Sequence, residues 1–180
     1  MEILVPLTIQ INKLEYKNKD AANNLIRYIT RTRPNEDRRN ELITYGTVWG
    51  NNFNKPIEHV IREFEYIQQQ YGTTGSLMCH YCIHISPSAY EAINNDLSKL
   101  IDYSKECCEY LFNLGFQCCY AIHYSETERL HIHLAINTTN FNTGYKLRQF
   151  PAEIKKTIEI PLTKLYEKYT YNCSNFPTYY

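Results

Sequence analysis

His131-Ile132-His133 sets two imidazoles one residue apart in an apolar, β-branched run, and His123 lies just upstream. Side chains two apart on a strand project to the same side, so His131 and His133 present two nitrogen donors to one place. Ile132, Leu134 and Ile136 then fall on the opposite face and predict core contacts, while Ala135 and Asn137 continue the histidine face. Residues 115–123 also read as a strand, and the polar run Ser125-Glu126-Thr127-Glu128-Arg129 reads as the connection of an antiparallel hairpin. Folding about that connection brings His123 beside the pair. An isolated strand histidine is more commonly held by a hydrogen bond than by a metal; the convergence of half of the chain's six histidines is what predicts a metal site. Three neutral imidazoles suit manganese, zinc, cobalt or nickel better than magnesium, which prefers oxygen, and they leave coordination positions open to substrate.

The elements that must position these residues follow from periodicity. Residues 4–11 read as a first strand, and 19–32 as a helix with Ala21, Ala22, Leu25, Ile26 and Ile29 on its apolar face and Pro34 beyond its end. A strand over 42–49, a helix over 56–71 with Pro56 at its start, and a strand over 77–85 come next. Ser86-Pro87-Ser88 opens one long helix reaching residue 114; the histidine hairpin, a loop over 138–144 and a final helix over 151–169 complete the chain. Strands interleaved with helices and ending in a hairpin predict an α+β domain, a mostly antiparallel central sheet with helices packed on it, of ferredoxin-like type. At 180 residues the chain reads as one domain over 1–180.

Composition excludes several classes. No apolar run approaches a membrane span, and Met1-Glu2-Ile3-Leu4-Val5-Pro6 lacks the basic flank and apolar stretch of a secretion signal, which predicts a cytoplasmic protein. The seven cysteines are odd in number and read as free thiols. Cys79-His80-Tyr81-Cys82 has the CxxC form, but on a strand positions three apart face opposite ways, and no second CxxC supplies further ligands. A net charge of zero argues against strong nonspecific nucleic-acid binding. Local charge is concentrated instead, in Arg27, Arg31, Arg33, Arg38 and Arg39, and again in Lys146, Arg148, Lys155 and Lys156.

The run from Ala121-Ile122-His123 through Leu130-His131-Ile132-His133-Leu134-Ala135-Ile136-Asn137, followed by Asn142-Thr143-Gly144-Tyr145-Lys146, resembles the three-histidine motif of HUH endonucleases, specifically plasmid-mobilisation relaxases of the MOB-P type. Leu25-Ile26-Arg27-Tyr28-Ile29-Thr30 resembles the amino-terminal motif that carries the nucleophilic tyrosine. His80-Tyr81-Cys82-Ile83-His84-Ile85-Ser86 resembles the middle motif. The three occur in the relaxase order and span nearly the whole chain. Relatives carry an aspartate two residues after the first histidine; here Glu126 or Ser125 takes that place.

The resemblance implies an HUH relaxase fold and metal-dependent nicking and rejoining of single-stranded origin-of-transfer DNA, with accessory relaxosome proteins as further partners. It implies a divalent metal, manganese or magnesium first and zinc, cobalt or nickel next, on His123, His131 and His133, with His80 and His84 outside the set. Tyr28 would attack phosphorus to give a 5′-phosphotyrosine link. Because a tyrosine ionises near pH 10, it needs help, for which Glu126 is the candidate, as base or as a carboxylate orienting a ligand. Arg27, Arg31, Lys146 and Arg148 would contact DNA. Three alternatives stand beside this reading: a replication initiator or transposase using Tyr166, a hydrolase activating water, and a silent DNA-binding module.

Overall fold

The computed structural model describes residues 7–48 and 56–170. The expected strand positions 4–6 and 49, and the seventh cysteine, Cys173, lie outside the described residues. Five strands form one sheet: β1 (Leu7–Tyr16), β2 (Leu42–Thr47), β3 (Met78–Ile85), β4 (Cys118–Ser125) and β5 (Arg129–Asn137). Their spatial order is β1-β3-β5-β4-β2, and every neighbouring pair is antiparallel. The α+β class with a mostly antiparallel sheet is therefore observed.

Each face of the sheet carries helices. On one face α1 (Ala21–Ile29) and α2 (Ile57–Tyr71) bury Leu25, Ile26, Ile29, Ile61 and Phe64 against Met78, Cys119, Ala121 and Ala135. On the other, α3 (Pro87–Ala92), α4 (Leu97–Asn113) and the C-terminal helix cover Tyr81, Ile83, Ile122, Ile132, Leu134 and Ile136. The three alternate residues of β5 thus face the core as the period-two pattern requires, each contributing roughly 1.5–3 kcal/mol of apolar burial. The small side chains of Ala121 and Ala135 let α1 lie close over the sheet centre.

Two helices depart from expectation. The long helix over 86–114 is broken: Asn94 and Asn95 adopt φ of 62° and 53°, a left-handed pair that asparagine tolerates, and Asp96 restarts the chain by accepting from the Ser98 backbone N–H at 2.8 Å. The C-terminal helix runs as α5 (Pro151–Ile154), a π-helical segment Lys155–Glu159, and α6 (Ile160–Thr170). Pro161 explains part of this, because it has no N–H for the Thr157 carbonyl. The Tyr110 hydroxyl of α4 donates to that carbonyl at 2.9 Å instead.

Candidate metal centre and nucleophile

Register places the histidines. His84, His131 and His123 pair across β3, β5 and β4, and Cys82, His133 and Ala121 form the next row. With His80 one row further, five of the six histidines share the face beneath α1. His123 and His131 are fully buried and His133 is 4 % exposed. Ring centroids lie 4.5 Å apart for His123 and His133, 4.8 Å for His131 and His133, and 5.3 Å for His123 and His131.

Hydrogen bonds to carbonyls fix which nitrogen is available in two of the three rings. A carbonyl can only accept, so His123 donates through Nε2 to Ile29 at 2.5 Å and His131 through Nδ1 to Arg129 at 3.1 Å. The lone pairs then reside on His123 Nδ1 and His131 Nε2. His133 Nδ1 meets His80 Nε2 at 2.8 Å; donation from His133 to His80 leaves a lone pair on His133 Nε2. His123 Nδ1, His131 Nε2 and His133 Nε2 are buried without a hydrogen-bond partner among the described residues. Burial lowers the pKa of all three rings and of His80, to about 4 for His80 and His123. They are neutral imidazoles at neutral pH, the form a metal needs.

Cys82 joins this face. Its Sγ and one ligand nitrogen each of His131 and His133 all lie within 4.8 Å of one another, a group able to hold a metal ion. His123 stands beside that group and is not part of it. The Cys82 thiol is pushed up to about 12 by burial, with Glu128 adding to the rise. Cys79 lies in the opposite core, so the two cysteines of the CxxC face opposite ways as a strand requires.

Tyr28 sits over this cluster. Its ring is 5.8 Å from both His80 and His133, edge-on, and it lines a cleft of about 220 Å³ together with Gln10, Cys82, His84, Glu128 and His133. The helix end aims the neighbouring charge. Thr32 N–H donates to the Arg27 carbonyl and Arg31 N–H to that of Tyr28, a Schellman closure in which Arg31, at φ 53°, occupies the left-handed position usually given to glycine. That costs about 1–3 kcal/mol of backbone strain and turns the Arg31 side chain inward. Its guanidinium is buried, pairs with Glu41 at 2.7 Å, lies 5.1 Å from the Tyr28 ring centre, and has Nε and Nη1 unpartnered among the described residues. Its charge helps hold His123, His131 and His133 deprotonated, after burial and their other neighbours. Arg33 lies 4.9 Å from the same ring, and the Arg38 pKa is raised by Glu41 first, then by Tyr28 and Glu36, against the lowering effect of burial.

Other expected residues lie elsewhere. Glu126 is exposed in the three-residue loop and lines a separate depression with Asn40, Glu41 and Thr127, whereas Glu128 Oε2 approaches His131 Nε2 at 3.4 Å. Arg129 at φ 59° reverses the chain there, so strand alternation does not carry into the loop, and the acid beside the histidines is Glu128 instead of Glu126. Arg27 is engaged by Asn23, the Thr32 carbonyl and Glu58, tying α1 to α2. Lys146 donates to Thr139 beyond the far end of β5 from His131, and Arg148 is exposed in the same segment. Asn137 is on the histidine face but bonds Gln117 and the Phe64 carbonyl and ends the strand. Tyr166 is buried in the opposite core, donating to the Ala89 carbonyl at 2.8 Å, with the sheet between it and the histidines. His80, Cys82, His84, Glu128 and Arg38 are the site neighbours that sequence reasoning left out. The alternation His80, Cys82, His84 was a readable sign of three ligand-type side chains on one face.

Among the described residues no helix is long and apolar enough to cross a membrane. The family model of relaxases, MobA/VirD2-like, nuclease domain, matches residues 15–171. No curated protein matches the chain.

Proposed function

Since this chain belongs to the relaxase family of MobA/VirD2-like nuclease domains, which nick DNA for mobilisation, we propose that it nicks and rejoins one strand through a 5′-phosphotyrosine on Tyr28. The observation that carries this reading is the Tyr28 ring 5.8 Å from His133 in the cleft they share, with unpartnered imidazole nitrogens in the histidine cluster beneath it and the buried Arg31 guanidinium 5.1 Å from the same ring. His131, His133 and, through Nδ1, His123 hold a divalent ion. When bound, that ion supplies charge stabilisation at the nonbridging phosphate oxygens. The remaining partners of the three rings, two carbonyls and His80, orient the ligands.

The Tyr28 oxygen forms a bond to phosphorus as the bond to the 3′ oxygen breaks, and the phosphoester is conserved for rejoining. Arg31 offers Nε–H and Nη1–H to the phosphate. Glu128 brings a carboxylate within 3.4 Å of the His131 nitrogen that faces the ion, where its negative charge favours a bound cation. The substrate is single-stranded origin DNA, along which Lys146 and Arg148 contact the backbone away from the scissile phosphate. Residues 1–180 act as one MOB-P-type relaxase domain, with accessory relaxosome proteins as partners.

The test is a labelled single-stranded origin oligonucleotide incubated with the protein and a divalent ion, resolved on a denaturing gel. The wild type and Tyr166→Phe form a covalent adduct; Tyr28→Phe binds DNA and forms none. Cleavage without any protein-linked product, or an adduct mapped by mass spectrometry to another tyrosine, refutes the assignment.

A further inference from the structure

β3 runs beside β5 in a register that puts Cys82 opposite His133 and His84 opposite His131, so Cys82 stands within the histidine cluster. Its Sγ shares a space within 4.8 Å with a ligand nitrogen each of His131 and His133. The Nε2 atoms of these two rings are buried and without a hydrogen-bond partner among the described residues; the Arg129 carbonyl leaves His131 Nε2 as an acceptor of a metal, and donation from His133 Nδ1 to His80 would do the same for His133 Nε2. Cys82 is half-buried and opens to the same cleft as Tyr28. Its sequence neighbour in the CxxC, Cys79, is on the other side of the sheet, which leaves the sulfur no disulfide partner there.

We propose that Cys82 is a sulfur ligand of the ion held by His131 and His133, making this a mixed imidazole and thiolate centre that selects zinc or cobalt over magnesium or manganese. The inference rests on the metal reading above and adds to it the identity of a ligand and the class of ion. Soft sulfur favours thiophilic ions, whereas magnesium and manganese favour oxygen. On binding, the Cys82 S–H bond breaks, a sulfur–metal bond forms and one proton is released to solvent; no electron is transferred. An ion held by these residues would keep a position for substrate, as catalytic zinc sites do.

The full chain, stripped of metal, is titrated with cobalt(II) and read by absorption. The wild type develops a near-ultraviolet sulfur-to-cobalt charge-transfer band. Cys82→Ser lacks it and binds zinc roughly tenfold or more weakly, with magnesium and manganese affinity unchanged. Cys119→Ser, on the same face but one register row away, keeps the band. In the wild type, saturating zinc protects Cys82 from alkylation, read by peptide mass, and this arm does not depend on a variant folding. Cobalt bound without the band, or Cys82 alkylated at the same rate with and without zinc, overturns the sulfur ligand and leaves the histidine reading standing. No cobalt bound at all overturns both.

Discussion

Acid should unfold the metal-free protein because it holds a cluster of histidines neutral. His80 and His123 have pKa values near 4, lowered chiefly by burial from an ordinary value near 6.5. The unfolded chain therefore takes up protons that the native state refuses, so the stability is full above about pH 6.5 and is lost as pH falls toward 4. Between pH 7 and pH 5, linkage gives about 2 kcal/mol for each of the two rings, or about 4 kcal/mol together. His131 and His133 move in the same direction and add to the loss, while Glu65, raised by burial, opposes it slightly. Glu58 and Asp96, whose pKa values are lowered by hydrogen bonds, take up protons only below this window. Urea unfolding in chelator at pH 7, 6 and 5 should show the midpoint falling by roughly 2 M, for a slope near 2 kcal/mol per molar. A midpoint that is unchanged or rises as pH falls refutes the neutral cluster, and His123→Asn should flatten the dependence.

Glu128→Gln should lower metal affinity or nicking about tenfold while Glu126→Gln leaves both unchanged, because only Glu128 approaches His131; equal effects in a side-by-side metal titration would remove the distinction. Tyr110→Phe should destabilise the fold by about 1–3 kcal/mol in urea unfolding, since the Thr157 carbonyl then loses the hydroxyl that stands in for the N–H that Pro161 lacks; no change would mean that water replaces it.

Much of the site was legible because strand alternation is rigid. The period of two assigned Ile132, Leu134 and Ile136 to the core and the histidines to the other face, and the hairpin returned His123 to His131 as their cross-strand pairing records. Proline marked the starts of α2 and α3. The identity of the strand beside β5 was not legible, since pairing between strands distant in sequence depends on the whole sheet. That is why His80, Cys82 and His84, read in the sequence only as parts of a motif, joined the site with the structure. The Asn94-Asn95 break escaped a helical pattern whose apolar spacing runs through it, and Glu128 escaped because loop side chains obey no period. Tyr166, attractive by its place after the histidines, lies in the core on the other face of the sheet.

The bond from His123 to the Ile29 carbonyl joins the last turn of α1 to the ion-binding cluster one residue away from Tyr28. An ordered α1 terminus fixes the tautomer of His123, so divalent-ion affinity and the ordering of that terminus share a coupling free energy, and such coupling is reciprocal. A bound ion would then stiffen the peptide that carries Tyr28, by the same factor that a stiff peptide would tighten the ion. A DNA strand attached to Tyr28 and pulling on that turn would loosen the ion, which makes the tension on the transferred strand readable at the metal.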